Sequence, residues 1–146
     1  MLSALNVANA FIGISLYQKK PITPVRLQQL MYLTYREYLR NKKSAPFAER
    51  FVVANFGPAL QSLTFIFADA KGNIKDLIRN AEGRYPHVTE EEKTLIAGTI
   101  VLVWNYCEHE SLESVSESLK KKGSAWSIAK GSGCELLDDE DIIKEK

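Results

Sequence analysis

The chain is poor in the residues from which catalytic sites are built. It has two histidines, His87 and His109, and two cysteines, Cys107 and Cys134. None of the four stands in company at metal-ligand spacing, which argues against zinc, whose sites draw on three or four such donors. Charge of one sign is also missing. The 19 basic and 18 acidic residues leave a formal net charge of +1, no field that would steer the molecule onto nucleic acid. Long apolar runs are lacking as well: the greasiest stretch, Thr94 to Tyr106, falls short of the roughly 20 residues of a membrane span. Ala8-Asn9-Ala10 resembles a signal-peptidase site. No basic residue precedes it, however, and the run before it is short and polar at Asn6. The expectation is a cytoplasmic protein with reduced thiols and no membrane association.

What is present is an ordinary globular balance, 45% apolar and 25% charged over 146 residues. That length fits one domain spanning the whole chain, 1–146, which buries roughly 68–70% of its unfolded surface. Gly131-Ser132-Gly133 is too short to be a linker, and no repeat is visible. Periodicity and caps predict a mainly α fold, a single compact domain of five to seven helices around a central buried helix, with one short extended segment or hairpin.

The first helix is expected from Ser3 to Leu16, ended by Lys19-Lys20-Pro21. The second opens at Thr23, an N-cap, with Pro24 at the first helical position where its missing N–H costs nothing. It runs to about Asn41, with Leu27, Leu30, Met31, Thr34, Tyr35 and Tyr38 on one stripe. Phe47 to Ala54 is a short extended segment or buried coil, the apolar run being too brief to separate the two, and Phe56-Gly57-Pro58 reads as a turn. A third helix is expected from Pro58 to Asp69, burying Leu60, Leu63, Thr64 and Phe67, and a short helix from Ile74 to Ala81. Thr89 and Glu92 form the strongest capping box, opening a helix to Glu108. Apolar nearly all round, through Leu95, Ile96, Ile100, Leu102, Val103, Tyr106 and Cys107, that helix is expected to be the central one. Ser111 to Lys122, Ala125 to Lys130 and Asp138 to Ile143 complete the set.

Chemistry-bearing patterns are few. Cys107 and His109 lie two apart on a helix and point to different sides, so they make no nucleophile–base pair. Gly131-Ser132-Gly133-Cys134 is followed by Glu135 and the acidic run Asp138 to Asp141, which would repel a phosphate. Glu90, Glu91 and Glu92 occupy a helix first turn, where the dipole favours them. No catalytic, cofactor or metal residues are assigned, and no enzyme activity is expected. Lys42-Lys43 and Lys120-Lys121-Lys122 are short basic runs, the latter on a helix that also carries Glu110, Glu113 and Glu117. Nucleic acid is therefore an unfavoured partner.

The stretch Pro21 to Tyr32 closely resembles the "I-T-P-L-K-L-Q-K-L-L-Y" signature of the Panacea domain family, which includes SocA-like and GepA-like, phage-associated proteins. Val7-Ala8-Asn9 with Phe11 is similar to its opening "ANYF" helix, Phe56-Gly57-Pro58 to its "GPV" turn, and Ser124 to Trp126 to its "G-S-P-W" motif. Ala54 stands where the family usually has Trp, Ala125 where it has Pro, and Lys120 or Lys121 near a usual His. The resemblance implies an antitoxin of a toxin–antitoxin system, a non-catalytic protein-binding module that neutralises a cognate toxin by direct contact. A SocA-like adaptor delivering its partner to a protease, or a DNA-binding regulator, is the alternative. The second helix offers a candidate docking face. Leu33 falls among Arg26, Gln29, Arg36 and Arg40, the pattern of an apolar anchor with a basic rim that recognises an acidic partner surface.

Overall fold

Helix α2, Pro24–Lys42, forms where the start signals are clearest: the Thr23 hydroxyl accepts from the Arg26 amide at 3.2 Å, and proline occupies the first turn. It is preceded by α1, Ala4–Gln18, capped by Ser3 and Asn6 in a reciprocal box. A hairpin of β1, Phe51–Ala54, and β2, Gly57–Leu60, comes next, with Phe51 opposite Leu60 and Ala54 opposite Gly57. Then come α3 (Gln61–Ile66), α4 (Glu90–Glu108), α5 (Leu112–Lys120), α6 (Ala125–Gly131) and α7 (Asp139–Lys144). The computed structural model describes residues 2–146; Met1 lies outside the described residues. The protein is a mainly helical single domain with seven helices and one small hairpin among the described residues.

A central helix exists, but it is α2 and not α4. Helix α2 packs against α1, α3, α4, α5, α7 and β2, and eleven of its residues are buried, from Leu27 to Tyr35 without a break and then Tyr38 and Leu39. Tyr32 and Tyr35 meet Phe47 and Phe51 in an aromatic cluster with ring centroids 5.1 to 5.4 Å apart. Helix α4 buries only Ile96, Ile100, Val103, Trp104 and Cys107 and leaves its other apolar side exposed. The reason is neighbours. Polar atoms on α2 find backbone partners on the segments around it, so the helix can be enclosed on every side.

Two other expectations are corrected. The third helix starts at Gln61, not Pro58, because Gln28 takes both polar groups of Leu60. The Leu60 amide donates to Gln28 Oε1 at 2.8 Å, and Gln28 Nε2 donates to the Leu60 carbonyl at 3.1 Å. Residues 57–60 are thereby held extended, with Gly57 at a φ of 137° that only glycine adopts easily. Leu60 and Leu63 are buried as expected; Thr64 is exposed and Phe67 half-buried. The short helix over Ile74–Ala81 does not form. Asn9 clips this segment instead, accepting from the Ile78 amide at 2.7 Å and donating to the Ile78 and Pro86 carbonyls. Eight residues nucleate a helix poorly, so a buried asparagine supplying ready partners wins.

Candidate protein-docking groove

The face of α2 proposed from sequence is occupied by the chain itself. Leu33 is 4% exposed and belongs to the core, so it is no surface anchor. Arg26 donates to the Glu110 carbonyl at 2.7 Å, and Gln29, itself buried, donates to the Leu112 carbonyl at 3.0 Å. Arg36 pairs with Glu145 at 3.0 Å, and Arg40 donates to the backbone carbonyls of Ile143 and Glu145. Arg36 and Arg40 are taken up by the α7 region, Arg36 through the Glu145 carboxylate, while Arg26 and Gln29 are held by carbonyls of the α4–α5 connection. A sequence pattern cannot distinguish an acidic partner from the chain's own tail.

Glu145 is the centre of this closure. One carboxylate oxygen accepts from the Tyr32 hydroxyl at 2.5 Å and from the Ala125 amide at 2.9 Å, and the other from Arg36. Nearby, the Tyr35 hydroxyl donates to Asp139 at 2.7 Å. Burial, helped by these carboxylates, pushes both phenols well above the ordinary tyrosine range. A carboxylate enclosed with a guanidinium and a phenol is stable only when all are paired. This cluster ties the last residues to α2 and α6.

A cavity of about 420 Å³ lies between the start of α2 and the end of α4, with Leu30, Trp104, Cys107 and Leu112 among its walls. Its rim charges answer one another: Lys20 bonds Glu108 at 3.2 Å, which holds that carboxyl below the usual range, and Arg26 is bound to the Glu110 carbonyl. Cys107 is buried, and desolvation raises its thiol pKa, only partly offset by Arg26. That is the opposite of what a nucleophile needs. His87 and His109 are both exposed, His109 at the C-cap of α4. Cys134 is a free, exposed thiol.

A larger groove, about 720 Å³, runs between the end of α3 and the clipped segment that follows it. Its apolar lining includes Ile66, Phe67, Ile74, Leu77 and Tyr85, and its charged lining is Lys71, Lys75 and Arg79 against the single carboxylate of Asp76. Arg79 stacks over the Tyr85 ring at 4.3 Å. Among the described residues neither Lys71 nor Lys75 forms an ion pair. Phe65, on α3 beside the groove's Ile66, is 84% exposed. Apolar and unpaired basic side chains thus share this groove, and Phe65 is exposed on the helix that forms one side of it, where sequence reasoning expected helix α3 to run on to Asp69 and a second short helix to follow. The exposure of Phe65 had a signal: it lies off the stripe that Leu60, Leu63 and Phe67 define.

The motif residues that carry the family resemblance mostly do structural work. Thr23 caps α2, Gln28 holds the hairpin, Ser124 caps α6 and the Trp126 indole donates to the Ala54 carbonyl at 2.8 Å. No protein-family model matches the chain, and neither a curated protein nor a solved structure does.

Proposed function

We propose that this protein is a non-catalytic, antitoxin-like binding module that neutralises a cognate toxin by direct contact. Its docking site is the groove between α3 and residues 70–85. The observation that carries the reading is a groove whose apolar wall, with Ile66, Phe67 and Leu77, is shared by the unpaired cations Lys71 and Lys75, with Phe65 exposed on the helix that forms one side; this suits an acidic, apolar-tipped partner surface. The resemblance of Ile22-Thr23-Pro24 and Ser124 to Trp126 to Panacea motifs supports the same class. On this reading the motif residues stabilise the scaffold, and the groove supplies the contact.

The test uses the product of the reading frame next to this gene. Expressed alone it should arrest growth, and co-expression with this protein should restore it. Phe65→Asp should remove the rescue while leaving the melting temperature within a degree or two, as expected for an exposed site. Arg79→Glu should slow association, more so at low salt. A partner that persists in a stoichiometric complex marks neutralisation; one that disappears in a protease-dependent way marks the adaptor alternative. Rescue by Phe65→Asp at wild-type level would overturn the placement of the site.

A further inference from the structure

Helix α4 carries no charged residue between Lys93 and Glu108, yet it is covered on one side only. Leu95, Val101, Leu102 and Tyr106 are each between 48% and 59% exposed. At 3.6 residues per turn, Glu91, Leu95, Gly98, Leu102 and Tyr106 fall within about 80° of one another, facing away from the buried Ile96, Ile100, Val103 and Cys107. Gly98 stands at the middle of this stripe, and a Cβ built there meets nothing within 4 Å. Within the protomer, glycine at this site only weakens the helix. It gains a purpose if another backbone passes close over it.

The geometry points to a second copy of this chain. We propose that two α4 helices pack antiparallel across a two-fold axis near Gly98. The stripe is its own complement when reversed about that residue: Leu95 meets the second copy's Leu102, and Leu102 meets the second copy's Leu95. Glu91 meets the second copy's Tyr106, whose hydroxyl can donate to the carboxylate. Thr99, beside the axis, faces its own equivalent. The reverse orientation is worse. A parallel pair through the same stripe would set the two Glu91 carboxylates against each other at one end. The antiparallel pair also sets each helix N-terminus beside a C-terminus, so the dipoles attract. An isologous contact of this kind closes on itself as a dimer. Its centre is free of charge, as interface cores are. This dimer face is separate from the α3 groove and does not rest on the proposed function.

Sedimentation of the full chain tests this. The wild type should sediment with about twice the 16.4 kDa protomer mass. Leu102→Asp should leave a folded monomer. Gly98→Leu should weaken the dimer at least about tenfold by filling the crossing point, while keeping or raising helix content. Orientation is read by cross-linking in a Cys134→Ser background. Leu95→Cys mixed with Leu102→Cys should form a mixed disulfide in preference to either alone. A wild type that stays monomeric at all concentrations would overturn the proposal, and so would a dimer that survives both Leu102→Asp and Gly98→Leu. Preferential linking of Leu102→Cys to itself would overturn the antiparallel arrangement.

Discussion

Helices α2 and α4 are each nineteen residues long, and they invert the expectation that the greasier helix lies deeper. Helix α2 contains three arginines, two glutamines and a glutamate, yet it is the hub. Helix α4 is apolar on nearly every side and half of it faces solvent. The lesson is that burial belongs to the neighbours a helix acquires. Polar side chains of α2 are consumed as clamps on Leu60, Glu110, Leu112, Ile143 and Glu145, and each clamp draws another segment over the helix. Helix α4, with few polar atoms between its ends, clamps little and attracts one layer only. A buried polar group that is satisfied costs little, whereas an apolar surface with no partner simply stays exposed.

The sharpest way to break this comparison is to place the same charge on both helices. Leu33→Asp in α2 should abolish cooperative folding, because an unpaired carboxylate at a site 4% exposed costs as much as a domain's whole stability. Leu102→Asp in α4 should shift protomer stability by no more than about 0.5 kcal/mol. Denaturant unfolding at low protein concentration reads both; equal effects would end the distinction between a hub and a one-sided helix.

A smaller effect is expected from removing one clamp. Glu145→Ala leaves Arg36 and the Tyr32 hydroxyl without their shared partner. It should cost about 3 kcal/mol, the lower end for breaking a buried ion pair, because the Arg36 side chain keeps 17% of its exposure. Chemical denaturation measures it, and a change below about 0.5 kcal/mol would show that the tail does not close the fold.

The smallest expected effect is a pH dependence. The folded protein holds the Tyr32 phenol protonated far above its ordinary value, first through burial and then through Glu145. A group whose pKa is higher folded than unfolded contributes stability in full below the unfolded value of about 10, and that stability is lost as pH rises beyond it. Stability should therefore fall above about pH 10, and Tyr32→Phe should flatten that fall at a cost of about 1.5–3 kcal/mol near neutrality. Ultraviolet titration of the phenolate checks it: ionisation of Tyr32 at ordinary tyrosine pH in the folded protein would contradict the enclosure of the cluster.

The legible parts of the fold are those governed by local chemistry. Ser3, Thr23, Thr89, Ser111, Ser124 and Asp138 each cap the helix that follows, because a side-chain oxygen two or three residues from a free amide needs nothing distant to act. The misread segments are those captured from afar. Residues 74–81 have helical spacing, but Asn9 reaches them across 69 positions of chain. Pro58 can start a helix, but Gln28 and Gly57 keep its strand extended. The docking face failed for the same reason: Arg36 and Arg40 were correctly seen as seeking carboxylate and carbonyl oxygens, and the tail supplied them first.

By itself, the sequence determined that this is a helical domain and where most helices begin, since caps and periodicity act within a few residues. Only the tertiary structure decided which helix is central, which basic side chains remain free and which apolar surface is left over. Those outcomes depend on competition among distant segments for the same hydrogen-bond partners. The contest is settled by three-dimensional proximity, and Leu33 and Gly98 are indistinguishable from ordinary helix residues until it has been.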